Sequence, residues 1–270
     1  MDNYSKDKLK DQHFMINEYF IKKLVEYSDL KKDDEVLEIG GGSGNLTSEI
    51  YKKVKKLFVY EKDLEFCKIL KEKYNYENVQ VNCGDILNSK LPKFNKILSN
   101  PPYQVLEQIF LLLINQKRYD FDLCIITVPS NFKEIITAKV NDSEFSVLSS
   151  LFLGFFDVTV LEKVPREAFD PMPRVLSYMI KITPTKDNEF LKQMLREFFI
   201  FKNKKLKNII FSLLWNLKDK TGKNKYTKRQ VKELLKNIEK KYEKILEKTI
   251  SELSNKEIKV ICRDNIWDNI

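Results

Sequence analysis

The chain has 270 residues, 43% hydrophobic and 32% charged, with a net charge of +9; at roughly 150 residues per domain this allows nearly two domains. That balance excludes a disordered chain, and seven glycines with eight prolines exclude low-complexity architecture. No apolar run approaches the roughly 18 residues that cross a bilayer, and the polar stretch from Met1 to Asp11 is unlike a secretory signal, so a cytoplasmic protein is expected, monomeric by default.

The first half alternates strands and helices. Glu35–Ile39 reads as an apolar strand ending at glycines, Leu46–Val54 as a helix, and Leu57–Glu61 as the next strand. In Leu64–Tyr74 the apolar Leu64, Cys67, Leu70 and Tyr74 recur at helical spacing. Val79–Cys83, Lys96–Ser99 and Leu123–Val128 read as strands, with a helix at Leu106–Ile114. This order predicts a Rossmann-like α/β fold, a parallel sheet with helices on both faces. Asp157–Val164 and Leu176–Ile182 have no helix between them and predict an antiparallel hairpin that closes the sheet. Beyond Pro184 the helices Phe190–Phe201, Leu206–Leu217 and Thr227–Lys248 are expected, with Asp187 or Asn188 capping the first and Thr227 the third. The predicted division is therefore 1–184, a sheet domain, and 185–270, a smaller all-helical domain.

Charge is divided in the same place. Residues 1–184 carry 26 Lys/Arg against 27 Asp/Glu, whereas residues 185–270 carry 22 against 12. Lys202 to Arg229 alone holds ten cations and one anion, interleaved with or next to Phe198, Phe199, Phe201, Phe211 and Trp215. A phosphate backbone is the natural counterpart of such a one-signed stretch, and Lys202, Lys204, Lys205 and Lys207 are candidate RNA contacts. The four cysteines (Cys67, Cys83, Cys124, Cys262) form no C-x-x-C pair, so buried free thiols are expected, with neither a disulfide nor a metal site. His13 is the only histidine.

The segment Glu38-Ile39-Gly40-Gly41-Gly42-Ser43-Gly44 places glycines directly after the first predicted strand, where backbone must turn sharply and approach a ligand without a Cβ in the way. Its G-x-G-x-G spacing departs from the dinucleotide fingerprint. Glu38 beside the loop suits a ligand carrying positive charge. Glu61 ends the second strand, where a carboxylate can accept ribose hydroxyls. Gly84-Asp85-Ile86 ends the third, placing a second acid where an adenine amine could donate. S-adenosylmethionine (SAM) fits this set better than NAD.

Ser99-Asn100-Pro101-Pro102-Tyr103 ends the fourth strand. Two prolines stiffen the loop and remove two donors. Asn100 Oδ1 and the Pro101 carbonyl can accept both N–H bonds of an aromatic amine, leaving its lone pair turned toward a methyl donor. Tyr103 can stack on the base, worth about 1–3 kcal/mol. Positioning and electrostatics then carry the rate without a metal.

With these residues the chain resembles the small-subunit ribosomal RNA adenine-N6,N6-dimethyltransferases, the KsgA family, from Gln12 to the basic helices. Gln12-His13-Phe14-Met15 resembles the family's Gln-Asn-Phe-Leu, with His13 where Asn is usual. The resemblance implies that Gln12, His13, Met15, Gly40, Gly42, Glu61, Asp85, Ile86 and Asn100 bind the cofactor SAM. It implies that Asn100, Pro101 and Tyr103 form the catalytic loop, although Leu or Ile is commoner at Pro101. Phe169-Asp170-Pro171-Met172-Pro173-Arg174-Val175-Leu176-Ser177 resembles the family's Phe-x-Pro-x-Pro-x-Val-x-Ser segment, with Phe169 as a second aromatic beside the target base. Leu195 to Leu206 resembles its basic C-terminal helix. The implied substrate is a pair of neighbouring adenosines in the 3′-terminal hairpin of small-subunit rRNA, within a partly assembled ribosomal subunit. One departure is Val128 to Glu134, where the family carries a Gln-(Arg/Lys)-Glu run. Two other readings stay open: an Erm-type large-subunit methyltransferase, and a non-catalytic RNA-binding assembly factor on the same scaffold.

Overall fold

The computed structural model describes residues 12–116, 120–139, 142–185, 192, 195–197, 203–217, 221–249 and 252–263. Its centre is a seven-stranded sheet. In chain order the strands are β2 (Glu35–Ile39), β3 (Lys56–Glu61), β4 (Val79–Cys83), β5 (Lys96–Ser99), β6 (Leu123–Pro129), β7 (Phe156–Val164) and β9 (Ser177–Pro184). They lie side by side as β4-β3-β2-β5-β6-β9-β7. The first five are parallel, and β9 pairs antiparallel with both β6 and β7. The late hairpin thus closes the sheet as expected, with its second strand inside and its first at the edge. Short strands β1 (Phe14–Met15) and β8 (Phe169–Asp170) pair separately, with Met15 opposite Phe169.

Burial explains the pattern of the central strands. β5 and β6 are buried almost throughout, as strands covered on both faces must be, and so lack a clean alternation. Helix α1 (Glu18–Ser28) precedes β2, the crossovers carry α2 (Asn45–Ile50), α3 (Leu64–Lys73) and α4 (Leu106–Asn115), and α5 (Ser130–Thr137) follows β6. Asp63 begins α3 by accepting hydrogen bonds from the backbone N–H groups of Glu65 and Phe66, which satisfies two otherwise orphaned donors. The core packs Leu24, Val36, Ile50, Leu57, Val59 and Leu98 between helices and sheet.

One expectation fails here. Cys67 of α3 and Cys83 at the end of β4 form a disulfide, with their Cα atoms 5.6 Å apart. Their separation of 16 residues spells no recognisable motif. The crossover from α3 into the adjacent strand brings them together, a contact that sequence spacing does not carry. Cys124 is a buried free thiol, as expected.

The chain divides into two compact units, Met1–Glu134 with Phe156–Pro184, and Ile135–Phe155 with Thr185–Ile270. The second unit begins after Pro184, but it also recruits an earlier segment that includes α6 (Val147–Phe155). That helix is buried along most of its length, so its apolar sequence belongs to a core built with residues far along the chain. Helices α7 (Leu206–Asn216), α8 (Lys228–Leu246) and α9 (Asn255–Arg263) follow. Thr227 caps α8 in a reciprocal capping box with Gln230. The expected helix Phe190–Phe201 and its caps Asp187 and Asn188 fall mostly outside the described residues.

Candidate active site

The strand order reverses direction at β2: the chain runs outward through β3 and β4 on one side, and through β5 and β6 on the other. Ligands of open parallel sheets bind at such a switch point, beyond the carboxyl ends of the strands. Here the glycine loop follows β2 and the Asn100 loop follows β5, so the two loops frame one crevice. It is an open cleft of about 700 Å³, the solvent at its mouth included, walled by Gln12–Met15, the glycine loop, Glu38, Glu61 and Asn100–Tyr103.

Gly40 and Gly42 hold φ at +76° and +50°, conformations costly for other residues. Space matters as much as backbone: a Cβ on Gly42 would stand 2.7 Å from the Phe14 ring, and one on Gly40 would stand 3.2 Å from Pro102 Cδ. The loop is therefore covered closely by the N-terminal strand and by the Asn-Pro-Pro-Tyr loop. Asn45 Nδ2 donates to the Met15 carbonyl, which ties that strand to the start of α2.

Two carboxylates lie under the loop. Glu38 is 1% exposed and accepts a 2.8 Å hydrogen bond from Thr47 Oγ1. Burial pushes its pKa up to about 8, with the neighbouring Glu61 adding to the rise. Glu61 accepts from the backbone N–H of Gly42 at 2.7 Å and of Asp63 at 2.8 Å. Burial raises its pKa too, against those hydrogen bonds. Each Glu61 oxygen keeps a second lone pair for a ligand hydroxyl.

The Asn-Pro-Pro-Tyr loop is held from three sides. Asn100 Nδ2 donates to the His13 carbonyl at 3.0 Å, and Thr127 Oγ1 donates to Asn100 Oδ1. Tyr103 has its hydroxyl 2.5 Å from Ser177 Oγ and its ring tilted against His13, centroids 5.8 Å apart. Burial pushes the Tyr103 phenol up to about 12, so it stays neutral. The His13 ring is itself anchored, Nδ1 lying 2.8 Å from the Pro171 carbonyl.

Other expected site residues lie elsewhere. Asp85 and Ile86 are not in the cleft lining. Asp85 caps the turn Ile86–Asn88 through Leu87 N–H and accepts from Lys62 Nζ at 2.9 Å, an ion pair that holds its carboxyl below the usual range. Phe169 is 3% exposed, packed with Met15 in the core and not open to a base, because β1–β8 pairing turns it inward. Met15 is likewise buried at 5%, reaching the cleft from beneath. Lys205 and Lys207 both pair with Glu247, the first at 2.7 Å, so neither presents an uncommitted ammonium to phosphate. Lys204 is exposed, and Lys202 lies outside the described residues. Thr127 and Phe14 were not singled out by sequence. Thr127 is hidden in an apolar strand, and only the register of β6 beside β5 carries it to Asn100.

The cleft suits SAM on its own chemistry. Gln12 Oε1 is buried in this wall without a hydrogen-bond partner among the described residues, an acceptor suited to an ammonium or hydroxyl. Two buried acids favour a cation over a pyrophosphate.

Residues 4–258 match the family model described as ribosomal RNA adenine dimethylase. The chain belongs to the ribosomal RNA adenine dimethylase family. It is 35% identical over 207 residues to a Methanococcoides burtonii protein named "Probable ribosomal RNA small subunit methyltransferase A", covering 74% of this chain and 76% of that one. A Pyrococcus furiosus protein of the same name is 31% identical over 255 residues, covering 93% and 90%. Among solved structures, a dimethyladenosine transferase from Plasmodium falciparum is 26% identical with a TM-score of 0.62, covering 91% and 94%. The 23S rRNA methyltransferase ErmE shares the fold at 20% identity and TM-score 0.57, covering 91% of this chain and 96% of that one. As a family member this chain is an rRNA methyltransferase, and the small-subunit relatives fit better than the Erm type.

Proposed function

We propose that this dimethylase transfers methyl groups from SAM to N6 of two adjacent adenosines in the 3′-terminal hairpin of small-subunit rRNA, two to each, on a partly assembled subunit. The observation that carries the reading is the clamped Asn100 amide at the mouth of an acid-lined cleft. SAM, when bound, would supply an electrophilic methyl group from its sulfonium, the S–CH₃ bond breaking to leave a neutral thioether. Gln12, Glu38, Glu61 and the glycine loop would hold it, with Glu61, and Glu38 once it gives up its proton, offering negative charge to a cationic ligand.

The adenine amine is a weak nucleophile because its lone pair is delocalised into the ring. Asn100 Oδ1 retains one lone pair after accepting from Thr127, and with the Pro101 carbonyl it can take both N–H bonds. That draws the nitrogen toward a tetrahedral shape and frees its lone pair. Tyr103, tethered through its hydroxyl, offers a fixed face for the base. Each transfer replaces one N–H by N–CH₃, and the proton passes to solvent. The base must be unpaired or flipped to enter, and the basic second unit would bind RNA phosphates. Asp85 is the expected adenine partner, which requires its pairing with Lys62 to loosen on binding.

The test is incorporation of labelled methyl from SAM into small subunits that lack the modification, followed by mapping of the labelled nucleotides. Asn100→Ala is expected to abolish incorporation while calorimetric SAM binding persists. Full activity in that variant removes Asn100 from its role, and label confined to large-subunit RNA favours the Erm-type reading. An absence of label with intact SAM sites favours the assembly factor.

A further inference from the structure

An asparagine amide can rotate by half a turn with almost no change in shape, exchanging a double acceptor for a double donor. Only one sense presents an acceptor to an incoming amine. The His13 carbonyl, which cannot donate, accepts from Nδ2 at 3.0 Å and so selects the sense. One such bond leaves the amide free to swing about it. The second constraint is Thr127, on β6, fully buried, whose hydroxyl donates to Oδ1. It lies opposite Met179 in the register of β6 and β9, one residue beyond the last pairing of β6 with β5, Ile126 with Ser99, so the sheet fixes its backbone beside the Asn100 loop. It is a lone polar side chain in the run Leu123-Cys124-Ile125-Ile126-Thr127-Val128, where an aliphatic residue would serve the core equally well.

We infer that Thr127 is a positioning residue for methyl transfer: its hydroxyl locks the Asn100 carbonyl so that the remaining lone pair faces the target amine. Thr127 is not in the lining of the cleft and acts through Asn100 alone. The inference rests on Asn100 having the role proposed above. Displacement of a reacting or orienting group by about 1 Å can cost on the order of a hundredfold in rate, and Thr127 is placed to prevent that displacement.

The experiment compares full-length wild type, Thr127→Val, Thr127→Ser and Asn100→Ala on unmodified small subunits, measuring kcat, KM for both substrates and SAM affinity. Valine keeps the volume and removes the donor. The expected result is a fall in kcat of about 10- to 100-fold in Thr127→Val, with SAM affinity and both KM values within about twofold. Thr127→Ser, which restores the hydroxyl, is expected to return kcat to within about threefold. Thr127→Ala replaces the valine variant if that one does not fold. Unchanged kcat without the hydroxyl, or a loss that serine does not rescue, overturns the inference. If Asn100→Ala itself stays active, the proposed chemistry falls first. If Asn100→Ala is inactive while Thr127→Val is not, only the positioning role falls.

Discussion

Replacing Glu38 by Gln should make the ligand-free protein more stable and its stability less dependent on pH. Glu38 is buried beneath the glycine loop with one hydroxyl donor, Thr47, and its pKa rises from the ordinary 4.5 to about 8. Between those values the folded chain holds a proton that the unfolded chain has released. Stability therefore falls with rising pH, by about 1.4 kcal/mol per unit. The whole interval is worth roughly 5 kcal/mol, of which about 3 kcal/mol has been lost by pH 7. Carboxylates whose pKa is lowered, such as Asp34 and Asp85, change stability only in more acidic solution. Glu61, raised like Glu38, adds to the slope in both proteins, so the difference between them isolates position 38. Glutamine keeps the acceptor for Thr47 and never ionises. Urea unfolding of both proteins from pH 5.5 to 8.5 should give curves that diverge as pH rises. Parallel curves would refute the claim that Glu38 is protonated in the folded state. In the same window wild-type affinity for cationic SAM should climb toward pH 8, a climb that Glu38→Gln flattens.

Gly42→Ala forces a Cβ against the Phe14 ring and a non-glycine residue to φ +50°; a stability loss of about 1–2 kcal/mol from backbone strain alone, together with weaker SAM binding by calorimetry, is expected. Reducing the Cys67–Cys83 disulfide, which closes 16 residues, should lower stability by about 3 kcal/mol, read as a lower melting temperature with a thiol reductant than without it. Replacing Lys202, Lys204, Lys205 and Lys207 by Ala should weaken RNA binding and flatten its salt dependence by about 0.7–0.9 per lost phosphate contact. Glu247→Gln, which releases Lys205 and Lys207 from their ion pairs, should act in the opposite direction; an unchanged salt slope in both would place the RNA surface elsewhere.

The pattern of short apolar strands and amphipathic helices was enough to read the parallel sheet, because burial on both faces imposes apolar runs whose order dictates the crossovers. The same holds for the two loops of the cleft. Glycines at positive φ and paired prolines advertise backbone constraints within a few residues, and those constraints are local. Asn100, Glu38 and Glu61 were visible for that reason. What tertiary structure alone decided were contacts between distant segments: Thr127 reaching Asn100, His13 lying across to Pro171, and Cys67 meeting Cys83. It also decided the states of groups that spacing places but does not surround. Phe169 is turned into the core, Lys205 and Lys207 are taken up by Glu247, and Asp85 is paired with Lys62. A charge or ring has meaning only through its neighbours, and strand register and helix packing choose those neighbours from chain tens of residues away.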